Sequence, residues 1–197
     1  MTISDSPTIL IETHGCKLNQ ADSQIIARRF IKAGYRIVDE QTQASVNVIN
    51  TCTVTHVADR KGRHSVMNAR RRNPKAIIVA TGCYVQRDPE RLAQMDAVDL
   101  VLGNTKKGTL VEQISQVIGL PLVTSSTDAP QDKTSHLRTR AMVKIQEGCN
   151  QICAYCIVPK VRGRERSLHP DLLVAQIRRL VDEGYLEVVL TGTQLGS

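Results

Sequence analysis

The chain has 197 residues, of which 41% are hydrophobic and 23% charged, so it is too apolar for a disordered protein and typical of a globular one. This length allows one complete domain and part of a second. The 26 Lys and Arg outnumber the 19 Asp and Glu, and the resulting net charge of +7 favours an anionic partner such as nucleic acid. With four Tyr, one Phe and no Trp, base stacking on aromatic rings is not expected to dominate that binding.

The sequence carries no signal for a membrane or for secretion. No apolar run approaches the roughly 18–20 residues that cross a bilayer. The amino terminus lacks a basic region followed by an apolar stretch. We therefore expect a cytoplasmic chain without a membrane partner. Six cysteines in that reducing compartment are not expected to form structural disulfides, so metal or redox chemistry becomes the leading question.

The first 118 residues alternate short apolar runs with helical patterns. The runs predicted to be strands are residues 8–13, 35–38, 45–50, 76–81 and 98–102. The segments predicted to be helices are residues 19–33, 57–72, 89–94 and 108–118. Strands separated by helices at this rhythm indicate an α/β domain, in which helices cover both faces of a parallel sheet.

The next segment interrupts this rhythm. Residues 119–140 are rich in Ser, Thr, Pro and Asp and lack apolar periodicity, so they are predicted to be an interdomain linker. A strand at 141–146, a cysteine-bearing loop, a helix at 170–183 and a strand at 187–191 then form one βαβ unit. Because one such unit cannot bury its own core, residues 141–197 are expected to be the first part of a second, truncated domain.

Three cysteines on the loop of this second domain form a C-x3-C-x2-C pattern, and they are Cys149, Cys153 and Cys156. Thiolates this close in sequence can surround one soft metal centre. Three ligands would leave one iron of a four-iron cluster open to a cofactor. Zinc is the alternative, and it would need a fourth ligand, for which His169 is the only later histidine.

The other three cysteines each follow a predicted strand, in the segments TILIETHGC, SVNVINTC and AIIVATGC, and they are Cys16, Cys52 and Cys83. The carboxyl ends of parallel strands share one edge of a sheet, where ligand sites form. These thiols are therefore predicted to converge and to hold a second cluster, although each alone would be an ordinary small buried residue. Asn19 and Asn50 flank these cysteines and are expected to hydrogen-bond the sulfurs or to cap local turns.

The longer segment KIQEGCNQICAYCIVPKVRGRERS resembles the signature of radical S-adenosylmethionine (SAM) enzymes. With THGCKLNQADS, INTCTVTHVADRK and TGCYVQRDP upstream, the chain resembles the methylthiotransferase branch of that superfamily over essentially its whole length. GCKLNQ and NTCTVTHVADRKGR are most similar to the tRNA methylthiotransferases that act on N6-threonylcarbamoyladenosine. Alternatives are the sister groups, which modify isopentenyladenosine in tRNA or an aspartate of a ribosomal protein, and a non-catalytic iron–sulfur module.

The resemblance implies two 4Fe–4S clusters and SAM as cofactors. The C-x3-C-x2-C cysteines would hold the cluster that cleaves SAM reductively. The three strand-end cysteines would hold an auxiliary cluster, which carries the sulfur to be inserted. The implied reaction adds a methylthio group to C2 of a modified adenosine near the anticodon of tRNA, with one SAM as methyl donor and another as radical source.

The resemblance also implies the fold. Residues 1–118 would be the methylthiotransferase amino-terminal domain, and residues 141–197 would begin a partial (β/α) barrel. The small β-domain with which the family grips RNA is not expected within this sequence. We therefore expect the 197-residue chain by itself to be inactive.

Two further features are candidate cofactor contacts. Thr191, Gly192 and Thr193 follow the strand LEVVL, where enzymes of this kind contact the methionine part of SAM; an ordinary turn is the alternative. Tyr155 lies between two cluster cysteines and is predicted to shield the cluster and to offer backbone contacts to the adenine of SAM. The alternative for Tyr155 is an aromatic ring that packs on the barrel.

Three arginines follow the cysteine loop in the segment VRGRERS, and they are Arg162, Arg164 and Arg166. They are predicted to contact tRNA phosphates or the cofactor carboxylate, because the guanidinium fork suits both. A solvated run of charges is the alternative.

Overall fold

The structure, a computed structural model, describes residues 6–40, 42–119 and 140–196. Its amino-terminal part contains a five-stranded sheet in the order β2-β1-β3-β4-β5, in which every neighbouring pair is parallel. The strands are β1 (Thr8–Thr13), β2 (Arg36–Ile37), β3 (Val46–Thr51), β4 (Ile77–Gly82) and β5 (Leu100–Leu102). The predicted parallel sheet of an α/β domain is thereby confirmed.

Helices connect these strands and cover both faces of the sheet. Phe30 and Ile114 belong to the core on one face, and Val66 packs against Ile49 and Ile78 in the core on the other. Side chains of each central strand alternate between the two cores, as the period of two in a strand requires. The helices are α1 (Lys17–Lys32), α2 (His56–Arg72), α3 (Cys83–Arg87), α4 (Pro89–Ala93), a 3-10 helix (Asn104–Thr109) and α5 (Leu110–Ile118).

Short helices account for the differences from the predicted elements. Helix α3 begins at Cys83, directly after β4, and was not predicted. The helix predicted from residue 108 begins at Leu110 and is preceded by the 3-10 helix. A helix of one turn is too short to show a period of 3.6 residues, so apolar spacing cannot reveal it.

The described carboxyl-terminal residues form a second, smaller α/β unit. Its elements are β6 (Arg140–Lys144), β7 (Gln146–Glu147), α6 (Val158–Arg162), β8 (Arg166–Ser167), α7 (Pro170–Asp182) and β9 (Glu187–Thr191). Strands β6 and β9 pair in parallel, β7 and β8 pair antiparallel, and Leu180 of α7 is buried against Ala141 and Val143. This is the predicted βαβ unit, with the predicted strand at 141–146 interrupted at Ile145.

The predicted linker falls mostly outside the described residues. Gly119 caps the end of α5 and Arg140 begins β6, whereas positions 120–139 are not described. The domain boundary there stays a prediction. Within the described ranges, no helix is both long and apolar enough to span a membrane.

Helix α1 joins the two parts, because it packs on the open edge of β6. The side-chain amide of Gln24 donates to the carbonyl of Arg140 at 3.1 Å and accepts from the N–H of Met142 at 2.7 Å. It thus occupies the backbone positions that another strand would otherwise use, and it protects the edge. On the same helix, the guanidinium of Arg28 lies 5.6 Å from the ring centroid of Tyr185.

We expect Gln24→Ala to loosen this contact, because two backbone groups of β6 lose their partners, at about 1–3 kcal/mol for each group left buried and unsatisfied. Hydrogen–deuterium exchange should show faster exchange of the Met142 amide than in the wild type. The matched control is Gln113→Ala, since the Gln113 amide donates to Thr109 on the protein's exposed surface. Equal protection of Met142 in the two variants would contradict this role of Gln24.

Candidate functional site

Three cysteines lie at the carboxyl edge of adjacent strands. Cys52 directly follows β3, Cys83 directly follows β4, and Cys16 is the N-cap of α1 after β1. Burial raises the pKa of the Cys52 thiol, and the neighbouring Cys83 and Cys16 thiols raise it further. The strand order β1-β3-β4 therefore brings these side chains to one place, as the positions of the strands predicted.

Glycines beside these cysteines allow the close approach of the loops. Gly15 has a φ of +96°, and a Cβ there would lie 2.6 Å from Cβ and 2.7 Å from Sγ of Cys52. Gly82 has a φ of +102°, and a Cβ there would meet the backbone of Thr51. Both positions require glycine for conformation and for space. The loop after β1 can therefore lie directly against Cys52.

The sulfur of Cys83 is contacted from three different segments. Arg162 donates its Nε–H to Sγ at 3.2 Å, and Asn104 donates its Nδ2–H at 3.7 Å. Oδ1 of Asn19 lies 3.9 Å from the same sulfur, and the Asn19 amide is held by two backbone carbonyls. The predicted place of Asn19 beside a sulfur is confirmed. Asn50 instead donates to the backbone carbonyl of Asn19 and to a serine hydroxyl.

Arg162 is buried, and the prediction that it contacts a phosphate or the cofactor carboxylate is wrong. Only 3% of its side chain is exposed, and its terminal nitrogens donate to Asp22 at 2.8 Å, to Glu147 at 2.9 Å and to Asn19. These donations leave the guanidinium fork no free edge for an anion from solvent. Arg164 is exposed, so the prediction for it is still open.

Arg162 belongs to a buried group of charges around Asp22. The Asp22 carboxylate lies 2.8 Å from Lys107, 2.7 Å from Lys144 and 2.8 Å from Arg162. Burial disfavours its charge, but the three cations outweigh that penalty and hold the pKa of Asp22 well below its usual range. Glu147 lies 2.9 Å from both Lys144 and Arg162. The group contains three cations and two carboxylates, and Arg166 at the surface lies 3.8 Å from Glu147.

The C-x3-C-x2-C cysteines lie on the loop between β7 and α6. The buried Cys149 donates its N–H to the carbonyl of Gly163 at 3.2 Å, and Cys156 donates its N–H to the carbonyl of Cys153 at 3.1 Å. The loop thus turns back on itself and is attached to the residue after α6. In the parts of the chain described, no three His, Cys, Asp or Glu side chains are placed to hold a single metal ion.

The turn after β9 adjoins this loop, because Gln146 bonds both. Its Oε1 accepts the N–H of Thr193 at 2.7 Å and that of the next residue at 3.0 Å, and its Nε2 donates to the carbonyl of Gly148 at 2.9 Å. A Cβ on Gly192 would lie 2.9 Å from Gln146, and Thr191 is buried. The candidate cofactor turn at residues 191–193 is thus tied to the cysteine loop. Gln146 was not among the predicted site residues. Its only signal in the sequence is a polar side chain at the end of a mostly apolar predicted strand.

Two other candidate residues point away from these contacts. Tyr155 is 93% exposed, so its ring does not pack on the described part of the barrel, and its predicted contact with SAM stays a prediction. His169, the alternative zinc ligand, caps α7, and its Nδ1 accepts the N–H of Asp171 at 3.4 Å. Its ring therefore caps the amino-terminal end of α7.

Two family models match the chain, one in each part. The model described as "Uncharacterized protein family UPF0004" matches residues 8–103, and that of the "Radical SAM superfamily" matches residues 143–194.

Curated relatives match nearly the whole chain. Threonylcarbamoyladenosine tRNA methylthiotransferase MtaB of Aquifex aeolicus is 42% identical over 197 residues, covering 95% of this chain and 48% of the relative. The MtaB protein of Bacillus subtilis is 39% identical, covering 96% and 44%. The tRNA-2-methylthio-N(6)-dimethylallyladenosine synthase of Bacteroides thetaiotaomicron is 35% identical, covering 100% and 46%. The chain thus spans about half the length of the curated relatives it matches.

A solved structure shares the fold. TsrM of Kitasatospora setae, a radical S-adenosylmethionine methyltransferase solved with tryptophan and the SAM analog aza-SAM, gives a TM-score of 0.58 at 14% identity. The match covers 96% of this chain and 48% of TsrM. It agrees with the predicted α/β fold in both parts of the chain.

We expect Gly15→Ala to displace Cys52, because the new Cβ would overlap its sulfur. Gly34→Ala is the matched control, since Gly34 also has a positive φ, +85°, but no atom lies within 4 Å of its missing Cβ. Both variants should lose about 1–2 kcal/mol of stability from the left-handed backbone. Only Gly15→Ala should speed the alkylation of Cys52, measured by mass spectrometry of the apo chain. Identical alkylation rates in both variants would refute the contact.

Proposed function

Because the chain belongs to the radical SAM methylthiotransferase family, we propose that it forms the cluster-binding part of an enzyme that methylthiolates C2 of N6-threonylcarbamoyladenosine in tRNA. One observation carries the proposal. The end of α6 contacts one cysteine from each set of three thiols. Arg162 donates to Sγ of Cys83 at the carboxyl edge of the large sheet, and Gly163 accepts the N–H of Cys149 on the loop that leads into the helix. A cytoplasmic location is part of the proposal, because tRNA would be the substrate.

The strand-end thiols, Cys16, Cys52 and Cys83, suit an auxiliary 4Fe–4S cluster by their chemistry. Three thiols are the soft donor set that iron–sulfur clusters use. N–H groups of Arg162 and Asn104 point at one of these sulfurs, and such hydrogen bonds stabilise a ligating thiolate. A cluster of four irons is wider than one ion, so its ligands stand further apart than those of a single-ion site.

The loop cysteines would hold the second 4Fe–4S cluster, with one iron left open to SAM. Gln146 would set the distance between this loop and the turn at residues 191–193, which is proposed to contact SAM. Tyr155, which lies on the loop itself, would shield the cluster and offer backbone contacts to the adenine of SAM. When bound, the two clusters and SAM would supply the reductive cleavage and the sulfur, whereas the chain's own groups hold the loops in register.

The proposed domains are residues 1–118, a linker at 119–140 and the start of a barrel at 141–197. Large apolar side chains are exposed on the second unit, among them Ile152 at 96%, Leu172 at 61% and Leu186 at 97%. An incomplete barrel would leave such side chains uncovered. Since the chain spans about half the length of its relatives, activity on tRNA is proposed for a protein of their length rather than for these 197 residues alone.

The relatives favour one substrate over the alternatives. The two highest identities, 42% and 39%, are to proteins named for threonylcarbamoyladenosine, whose identities range down to 33%, whereas a protein named for dimethylallyladenosine is 35% identical. A ribosomal-protein aspartate is the second candidate. A non-catalytic iron–sulfur module is the third, and it would bind clusters without responding to SAM.

We expect the anaerobically reconstituted chain to hold about eight irons and eight labile sulfides. Cys52→Ala and Cys149→Ala should each retain about four, because each variant removes a ligand of one site only. Adding SAM should change the electron paramagnetic resonance (EPR) spectrum of Cys52→Ala and leave that of Cys149→Ala unchanged. Zinc without labile sulfide would contradict the proposal. Clusters whose spectra do not respond to SAM would favour the non-catalytic iron–sulfur module.

The substrate is tested in cells that lack the gene. Mass spectrometry of tRNA nucleosides should show near-complete loss of 2-methylthio-N6-threonylcarbamoyladenosine, with the precursor accumulating in its place. The dimethylallyl nucleoside serves as the internal control and should keep its methylthio group. An unchanged tRNA profile together with loss of the modification from a ribosomal protein would replace the proposed substrate.

A further inference from the structure

Two consecutive residues at the end of α6 contact a cysteine of each site. The side chain of Arg162 reaches the sulfur of Cys83 at 3.2 Å, and the carbonyl of Gly163 accepts the N–H of Cys149 at 3.2 Å. Helix α6 also packs against α3, the helix that begins at Cys83. A short segment of the second unit therefore borders both candidate clusters.

The guanidinium of Arg162 cannot turn away from this sulfur without breaking other contacts. One terminal nitrogen donates to Asp22 and Glu147, and the other donates to Asn19. With the terminal nitrogens fixed in the plane of the group, the remaining Nε–H is directed at Sγ of Cys83. Lysine could pair with Asp22, but its donors share one nitrogen, and it lacks the separate Nε–H that arginine directs at the sulfur.

Positive charge lies close to the Cys83 sulfur, because Arg162 belongs to the buried group of charges around Asp22. The three cations Lys107, Lys144 and Arg162 lie against two carboxylates, Asp22 and Glu147, and the exposed Arg166 lies 3.8 Å from Glu147.

We infer that Arg162 is a positioning residue of the auxiliary cluster, whose N–H···S hydrogen bond fixes the Cys83 ligand and raises the reduction potential of that cluster. Hydrogen bonds to cluster sulfurs and nearby positive charge both stabilise the reduced state, which carries the more negative charge. The inference rests on the proposed function, because it concerns the thiolate that would ligate the auxiliary cluster.

The test uses the reconstituted Cys149→Ala chain as parent, in which only the auxiliary site would be loaded. Arg162→Lys and Arg162→Gln are compared with Arg178→Gln, because Arg178 is an exposed arginine of α7 in the same unit. We expect both Arg162 variants to shift the EPR-monitored redox midpoint to more negative potential. They should also release iron to a chelator roughly tenfold faster or more, whereas Arg178→Gln should match the parent.

A second measurement covers the case in which the Arg162 variants fail to fold, which far-UV circular dichroism would reveal. The parent is labelled with 15N-arginine, and electron–nuclear double resonance of its reduced cluster should show coupling to a nitrogen. Absence of that coupling in the parent, or an unshifted midpoint in folded variants, overturns the inference and leaves the proposed function intact. A parent that holds no iron overturns both.

Discussion

The arrangement of the molecule depends on a buried carboxylate, Asp22 of α1, which is paired with cations from three other segments. Lys107 comes from the 3-10 helix, Lys144 from β6 and Arg162 from the end of α6. Removing one partner from such a group typically costs about 3–5 kcal/mol, because a charge is left buried without compensation. The two parts of the chain are therefore held in one relative position. The ion pairs and the hydrogen bonds from Gln24 to β6 together specify the register of the two parts.

The fixed relative position of the two parts brings groups of the second unit to a cysteine of the first. Arg162 extends from the second unit to a sulfur at the edge of the first unit's sheet, and the next residue holds the backbone of Cys149. Inside the second unit, Gln146 forms hydrogen bonds to both the cysteine loop and the turn after β9, and so holds them together. Polar groups between elements thus place the cysteines, while the apolar cores hold the sheets that carry them. The proposed reaction, which would use two clusters, requires such mutual placement.

Local patterns in the sequence were enough to predict the large sheet and the thiols at its edge. The strands before Cys52 and Cys83 are apolar runs of ordinary strand length, and parallel pairing then puts their ends together. What could not be predicted depends on partners distant in sequence. Arg162 was predicted to bind phosphate or the cofactor carboxylate, with a solvated run of charges as the alternative, because nothing near it in sequence indicates that it pairs with Asp22 of α1. Gln24 was not singled out, because its partner Met142 lies far away in sequence. The only local hint was polar residues, Asp22 and Gln24, on helix positions that the structure buries.

The most direct test of this account is anomalous diffraction at the iron edge from crystals of the reconstituted chain. We predict two separate iron sites, one bordered by Cys16, Cys52 and Cys83 and the other on the loop of Cys149, with the Arg162 side chain between them. A single iron site on the loop, with the thiols at the sheet edge free of metal, would contradict the account.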